Sequence, residues 1–81
     1  MNPEPSSVPR LVGLRIRALR QTKGWSQEEL ADQAGLHRAY VGQIERAEKI
    51  IGLVNLAKLA QALGITSAQL LDIRRVPHGR R

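Results

Sequence analysis

Apolar residues recur at helical spacing along most of the chain, and four pairs of them repeat a separation of five residues. The pairs are Trp25 with Leu30, Leu36 with Val41, Ile51 with Leu56, and Ile65 with Leu70. This is the separation in a hydrophobic staple, in which the residue before a helix N-cap packs against the fourth residue of the helix. The pattern therefore predicts a helix that begins just after the first member of each pair.

Two of these helix starts also carry a capping box, in which two side chains three positions apart satisfy each other's backbone N–H groups. Ser26 pairs in this way with Glu29, and Thr66 with Gln69. An apolar stripe behind Pro9 adds a first helix, and no stretch alternates polar and apolar residues as a strand does. The inner face of the fourth helix is predicted to be Leu53, Leu56, Leu59, Ala60 and Leu63. We therefore predict an all-α fold, a bundle of five helices at 9–22, 26–34, 37–45, 52–63 and 67–74.

Composition narrows the possible functions of this small chain. Its 81 residues suffice for one domain, and 13 Lys and Arg against 7 Asp and Glu favour a polyanionic partner, either nucleic acid or an acidic membrane surface. Proline and polar residues predict a flexible lead-in at 1–8, and the final arginines predict a basic tail at 75–81, beyond a domain at 9–74. Aromatic residues are nearly absent, which argues against a stacking platform for single strands.

The residue types that carry catalysis and metal binding are scarce. The chain has no Cys, and its two histidines, His37 and His78, lie far apart without further ligands at suitable spacing. No Ser–His–acid or paired-carboxylate pattern stands out, so we expect no enzyme activity, no metal and no cofactor. No apolar run resembles a transmembrane span or a secretory signal, so we expect a cytoplasmic protein that does not bind a membrane.

The twenty residues from Gln27 to Arg46 have the apolar pattern of two helices packed across a tight turn. Ala31 is small where the helices approach each other, and Gly35 lies at the turn. The side chains left pointing outward from the second helix are His37, Arg38, Ala39, Gly42, Gln43 and Arg46. Because this face has few apolar groups, it is better suited to reading the edge of a nucleic acid than to forming core.

Several segments together resemble the phage-repressor and Cro-like helix-turn-helix family. SQEELADQAGL from Ser26, followed by YVGQIER from Tyr40, matches the family's two central helices. Upstream, LRIRALR matches its first helix, and downstream LVNLAKLAQALGI matches its fourth. The segment RAYV from Arg38, with IGLVNL from Ile51, is also similar to the controller proteins of restriction–modification systems.

The resemblance implies a homodimer that sets its third helices into successive major grooves of double-stranded DNA, with half-sites about 34 Å apart. By motif position, it gives base contacts to His37, Arg38, Ala39, Gly42 and Gln43, and phosphate contacts to Gln27, Tyr40 and Arg46. We also expect a phosphate contact from Lys49, although the family's controller branch usually has Arg-Asn where this chain has Lys49 and Ile50. The chemistry agrees, since Arg38 can pair with guanine, Gln43 with adenine, and Ala39 with a thymine methyl. The resemblance also implies that Arg20 forms an ion pair with Glu45. We expect this pair in preference to a contact between Arg20 and DNA.

Three further positions lead to expectations about packing. The last helix carries more apolar residues than one side of it needs, and these form either core or a dimer contact: Leu70, Leu71, Ile73 and Val76. Gly42 costs its helix about 1 kcal/mol relative to alanine, which we expect close approach to DNA or to the partner helix to offset. The family commonly has Gly where Ala47 stands, and because alanine is strained in the left-handed region, we expect the third helix to continue through Ala47.

These features predict a sequence-specific transcriptional regulator of its own operon. Two alternatives stay open: an antitoxin that also holds a toxin through Leu71, Ile73, Val76 or the tail, and a protein-interaction module that kept the fold and lost DNA affinity. We expect no small-molecule effector, and control by protein concentration through dimers, possibly two dimers on one operator.

Overall fold

The computed structural model describes residues 4–75 of the chain. Within them lie five α-helices: α1 (Val8–Thr22), α2 (Gln27–Ala34), α3 (Arg38–Glu45), α4 (Leu53–Leu63) and α5 (Ser67–Leu70). Single turns of 3-10 helix, Pro5–Ser7 and Ile73–Arg75, flank them, and this part of the chain contains no strand. The predicted all-α fold is confirmed. None of the helices in residues 4–75 has the length and apolar character needed to cross a bilayer.

The helix starts follow from local sequence, as predicted. Ser26 Oγ accepts a hydrogen bond from the Glu29 backbone N–H at 3.1 Å, and the Ser26 N–H donates to Glu29 Oε1 at 2.7 Å. Thr66 and Gln69 form the same capping box at the start of α5. The N-caps of α2 to α5 are residues 26, 37, 52 and 66, each directly after the first member of a staple pair. All four predicted starts are confirmed.

The hydrophobic core lies behind α3 and contains side chains from all five helices. Its fully buried large side chains are Ile16, Leu30, Val41, Ile44, Leu59 and Leu70. Helix α3 packs against both α1 and α2, and α2 in turn packs against α4. Because Val41 and Ile44 are spaced to enter this core from one side of α3, the opposite side of the helix is left outside.

The third helix does not continue through Ala47, so that prediction is wrong. It ends at Glu45, and Ala47 takes the left-handed conformation with φ of +59°. The Glu48 N–H donates to the Gln43 carbonyl at 2.7 Å and the Ala47 N–H to the Ile44 carbonyl at 3.1 Å, which is the pair of bonds of a Schellman cap. The reversal directs the chain so that Ile51 packs against the core. These bonds and that burial outweigh a backbone strain of about 1–2 kcal/mol.

The two ends of the described region differ from the predicted boundaries. Pro5–Ser7, predicted as flexible lead-in, forms a 3-10 turn that continues into α1, and Val8 packs against the core. Helix α5 ends at Leu70 instead of extending to residue 74. The 3-10 turn that follows packs against α1, which returns Ile73 to the core. The predicted basic tail beyond residue 75 lies outside the described residues.

Candidate nucleic-acid interface

The outer face of α3 is open to solvent along its first turn. His37, Arg38 and Ala39 are exposed, and Gln43 is half-buried one turn further on. Arg38 Nη1 lies 3.7 Å from Glu28 Oε1 on α2, and the Arg38 side chain remains 73% exposed. A pair this long and this exposed is screened by water and contributes little to stability. The guanidinium can therefore exchange Glu28 for another acceptor at low cost.

Gly42 does not belong to this outer face. It is buried where α3 meets the start of α2, and a Cβ built on it would lie 3.0 Å from Arg46 Nη1 and 3.3 Å from Gln27 Oε1. The predicted base contact by Gly42 is therefore wrong. Motif position placed it outside because a residue without a side chain gives no polar or apolar signal of its own. Close approach to α2 is what the missing side chain permits.

Behind α3, the Glu45 carboxylate joins three helices. Arg20 donates to it through both Nε, at 2.7 Å from Oε2, and Nη2, at 2.9 Å from Oε1. Gln27 Nε2 donates to Oε1 at 3.0 Å, and Arg20 Nη1 donates to the Trp25 carbonyl at 2.8 Å. The Arg20 and Glu45 side chains are only 11% and 2% exposed. The structure thus brings them together as a buried, bidentate ion pair that fixes α1, α3 and the start of α2 to one another.

The electrostatics of this pair keep the arginine charged. The hydrogen bond to Glu45, reinforced by the attraction of the opposite charges, raises the pKa of Arg20 although burial alone would lower it. Removal of Glu45 would leave a mostly buried guanidinium without its carboxylate partner, although the hydrogen bond to the Trp25 carbonyl would remain.

A second, exposed ion pair closes the C-terminal end of α3. Arg46 Nε donates to Glu48 Oε2 at 2.8 Å, and Arg46 Nη2 donates to Glu48 Oε1 at 3.2 Å. This hydrogen bonding raises the pKa of Arg46 and lowers the pKa of Glu48. Because the two side chains are 57% and 53% exposed, the pair orients the arginine without withdrawing it from solvent.

The other predicted phosphate contacts are spread around α3. Gln27 lies in the first turn of α2 with its amide already bonded to Glu45. Tyr40 is half-buried and packs against the core, while Lys49 is exposed beyond the end of α3. The structure therefore gathers Gln27 and Arg46 beside Gly42, and the phosphate contacts of Tyr40 and Lys49 stay predictions.

The predicted dimer residues divide between core and surface. Leu70 is fully buried and Ile73 is 9% exposed, so the predicted dimer contact through these two is wrong. Both face inward because α5 ends early and the following turn folds back onto α1. Leu71 is 43% exposed, and Val76 lies outside the described residues.

Sequence reasoning missed an apolar patch on the surface, which consists of Ile50, Leu53, Val54 and Leu71. Ile50 is 81% exposed and Leu53 is 84% exposed, although helical spacing predicted Leu53 for the inner face of α4. Ile50, Leu53 and Leu71 line an apolar groove of about 210 Å³ that Val8 also borders. The run of apolar residues at 50–54 was the signal that could have shown it.

Gly13 was also missed. A Cβ on Gly13 would come within 2.5 Å of the Ile44 carbonyl oxygen and 2.7 Å of the Glu45 carbonyl oxygen, so α1 and the end of α3 touch backbone to backbone here. A glycine in the apolar stripe of a helix costs about 1 kcal/mol relative to alanine, and that cost was an available signal of close approach.

The described part of the chain holds no cluster of three His, Asp or Glu side chains that could bind a metal ion. His37 serves as the N-cap of α3 without a side-chain capping bond. His78 lies outside the described residues.

Comparison with known proteins gives one consistent family. A helix-turn-helix family model matches residues 16–70, which contain α2 to α5 and the C-terminal part of α1. A hypothetical transcription factor of Neisseria meningitidis is 45% identical over 69 residues, 85% of this chain and 65% of the relative. The chain thus spans a little under two thirds of that relative's length.

Two solved structures resemble this fold closely. The restriction-modification controller protein C.AhdI from Aeromonas hydrophila has a TM-score of 0.75 and 48% identity, and the match covers 76% of this chain and 94% of that one. SinR, the master regulator for biofilm formation solved in complex with DNA, has a TM-score of 0.71 and 35% identity, with 75% and 98% covered. The part of the chain that carries α2 and α3 is therefore shared with a controller protein and with a protein seen on DNA.

Proposed function

Because this chain belongs to the helix-turn-helix family of DNA-binding transcriptional regulators, we propose that it binds a two-fold symmetric operator as a homodimer and controls its own operon. The observation that carries this proposal is the division of α3 into two sides. Val41, Ile44 and Glu45 anchor the helix from within, while its first turn remains exposed and polar.

The exposed side of α3 has the chemistry for reading bases in a major groove. Arg38 can offer two parallel donors to guanine O6 and N7, and the Gln43 amide can pair with adenine N6 and N7. Ala39, exposed between them, is small enough to contact a thymine methyl. Each such bidentate pair discriminates against a wrong base by about 1–3 kcal/mol.

Phosphate contacts would fix the register of α3 in the groove. Gln27 lies at the start of α2, where the free backbone N–H groups and the positive end of the helix dipole favour an anion. One of its amide hydrogens is bonded to Glu45, which orients the side chain and leaves the second hydrogen for a phosphate. The net charge of +6 adds attraction that is independent of sequence.

Footprinting on the DNA upstream of its own gene tests this function. We expect two protected patches centred about 34 Å apart, or a multiple of that, on one face of the duplex, since a symmetric dimer presents its two α3 helices one helical turn apart. A base-shuffled duplex at the same salt concentration is the control. Absence of any protected bases would contradict the proposal and leave the protein-interaction module as the better explanation.

We assign the dimer contact to the apolar patch, and specifically to Ile50, Leu53 and Leu71. An 81-residue chain has a thin core, and these large side chains are exposed beside an apolar groove. Residue 50 follows closely on the end of α3, so a two-fold contact there would bring the ends of two α3 helices toward the axis. That arrangement suits a symmetric operator.

Analytical ultracentrifugation tests the dimer. At tens of micromolar we expect the wild type to sediment as a dimer and Leu53→Glu as a monomer, because a carboxylate would have to be buried in an apolar contact. Gln61→Glu, which adds the same charge at another exposed position of α4, should remain dimeric. A monomeric wild type, or a dimeric Leu53→Glu, would overturn this assignment.

A further inference from the structure

We propose that Gly42 is a positioning residue for Arg46: its missing side chain lets the Arg46 guanidinium lie beside the Gln27 amide, and the two form one composite site for a DNA phosphate. This inference rests on the proposed function, since it assigns a phosphate contact within that interface. It concerns how two side chains on different helices are brought together.

The Arg46 guanidinium occupies the space that a side chain at Gly42 would fill. A Cβ there would lie 3.0 Å from Arg46 Nη1 and 3.6 Å from its Cζ, and 3.3 Å from Gln27 Oε1. The same small gap is thus bordered by the end of α3 on one side and the start of α2 on the other. Glycine alone leaves this space entirely to the guanidinium, because even alanine brings a methyl group into it.

Glu48 holds one edge of the guanidinium and leaves the other edge free. It accepts from Nε and from one hydrogen of Nη2, so both Nη1 hydrogens and the second Nη2 hydrogen remain unused by this pair. The free Nη1–Nη2 edge has the fork geometry that matches two phosphate oxygens. Arg46 is therefore oriented by Glu48 and still able to bind an anion.

Gln27 is held on the other side of the gap. Its Nε2 donates to Glu45 at 3.0 Å, and Glu45 is itself fixed by Arg20. The orientation of Gln27 thus derives from the buried ion pair, whereas that of Arg46 derives from the exposed one. The Gln27 atom nearest to Gly42 is the acceptor Oε1, so the donors for a phosphate at this site would be the free Nη1–Nη2 edge of Arg46 and the second Nε2 hydrogen of Gln27.

A substitution at Gly42 can separate this role from folding. Its neighbours are the far ends of two flexible side chains and not backbone atoms, and its φ is not in the left-handed region. Gly42→Ala should therefore keep the fold while it displaces the arginine. This can be verified by thermal unfolding followed by circular dichroism.

The test is a double-mutant cycle of DNA affinity with Gly42→Ala, Arg46→Ala and the combined variant, measured on a duplex from upstream of its own gene over a range of salt concentrations. Arg46→Ala should weaken binding by about tenfold, as expected for loss of one charge-assisted hydrogen bond, and should reduce the slope of log affinity against log salt by about 1, because it removes a charge. Gly42→Ala displaces the guanidinium by a few tenths of an ångström and keeps the charge, so it should weaken binding by a smaller factor. The combined variant should bind no more weakly than Arg46→Ala alone, because Gly42 acts through Arg46.

Two results would overturn the inference. Gly42→Ala with wild-type affinity would show that the position of Arg46 does not depend on this gap. Losses that multiply in the combined variant would show that Gly42 acts independently of Arg46. If the wild type binds no duplex at all, both the proposed function and this inference are contradicted. That result differs from the two above, in which the wild type binds DNA.

Discussion

The two sides of α3 carry ion pairs of the same chemistry and opposite consequence. On the inner side, Arg20 and Glu45 meet at 2.7 Å with side chains 11% and 2% exposed. On the outer side, Arg38 and Glu28 approach only to 3.7 Å with side chains 73% and 65% exposed. Breaking a buried pair is strongly destabilising because the remaining charge stays buried without its partner. Breaking an exposed pair costs little because water solvates both charges. Burial therefore decides which arginine holds the fold and which is available to a partner.

Two glycines, Gly13 on α1 and Gly42 within α3, show the same division. Gly13 contacts the backbone carbonyls of Ile44 and Glu45, which cannot move without moving the helix. The atoms nearest to a Cβ built on Gly42 are the ends of the Arg46 and Gln27 side chains, which can move. The contact at Gly13 thus sets the position of α3, whereas the contact at Gly42 sets the position of the Arg46 and Gln27 side chains.

The largest expected effect comes from Glu45→Ala. It should lower the free energy of unfolding by about 3–5 kcal/mol, because the mostly buried Arg20 guanidinium would be left without an opposite charge. Urea unfolding followed by circular dichroism measures this loss. Glu28→Ala removes the acid of the exposed pair and is the matched control, with an expected change within about 0.5 kcal/mol. Similar losses for the two variants would remove the distinction between the two sides of α3.

Gly13→Ala should have the next largest effect. The added methyl group would lie 2.5 Å from the Ile44 carbonyl oxygen, so α1 must shift away from α3. Overpacking of this kind costs about 1–3 kcal/mol of unfolding free energy. Gly42→Ala is the comparison, because its methyl group meets only side-chain ends and should leave stability unchanged or slightly raised. Equal stability of Gly13→Ala and the wild type would contradict the backbone contact.

The smallest effect is expected at the end of α3. Ala47→Gly should raise the free energy of unfolding by about 0.5–1 kcal/mol, because glycine adopts φ of +59° without the strain that alanine carries. Gly35→Ala provides the reverse test, since φ is +70° there and a Cβ would meet nothing within 4 Å. It should lose about as much stability as Ala47→Gly gains. A destabilised Ala47→Gly would mean that the alanine methyl group is needed for packing.

Local sequence predicted the start of each helix because the determining contacts span only a few residues. Ser26 with Glu29 and Thr66 with Gln69 satisfy backbone groups within one turn, and this requires no knowledge of the rest of the fold. The exposed first turn of α3 followed in the same way from helical periodicity, as the position of Arg38 shows.

The features that were mispredicted depend on contacts between distant segments. The conformation of Ala47 was mispredicted because the strain is local while the compensating burial of Ile51 is not. Leu53 fits the inner periodicity of α4 but lies at its first residue, beyond the reach of the core. Gly13 has no side chain to indicate a direction, so only the packed structure shows what it faces. For Gly42 the sequence predicted a close approach to either DNA or the partner helix, and the packed structure places it against α2.

The most direct test of base reading by the exposed side of α3 is the binding free energy of the Arg38→Ala variant on two duplexes. Affinities of the wild type and the variant would be measured at one salt concentration, on the footprinted operator and on a duplex of the same bases in shuffled order. We expect the substitution to cost about 1–3 kcal/mol on the operator and much less on the shuffled duplex, because Arg38 reads a base from the exposed side of α3. Equal losses on both duplexes would contradict that role and reduce Arg38 to a contact with the phosphate backbone.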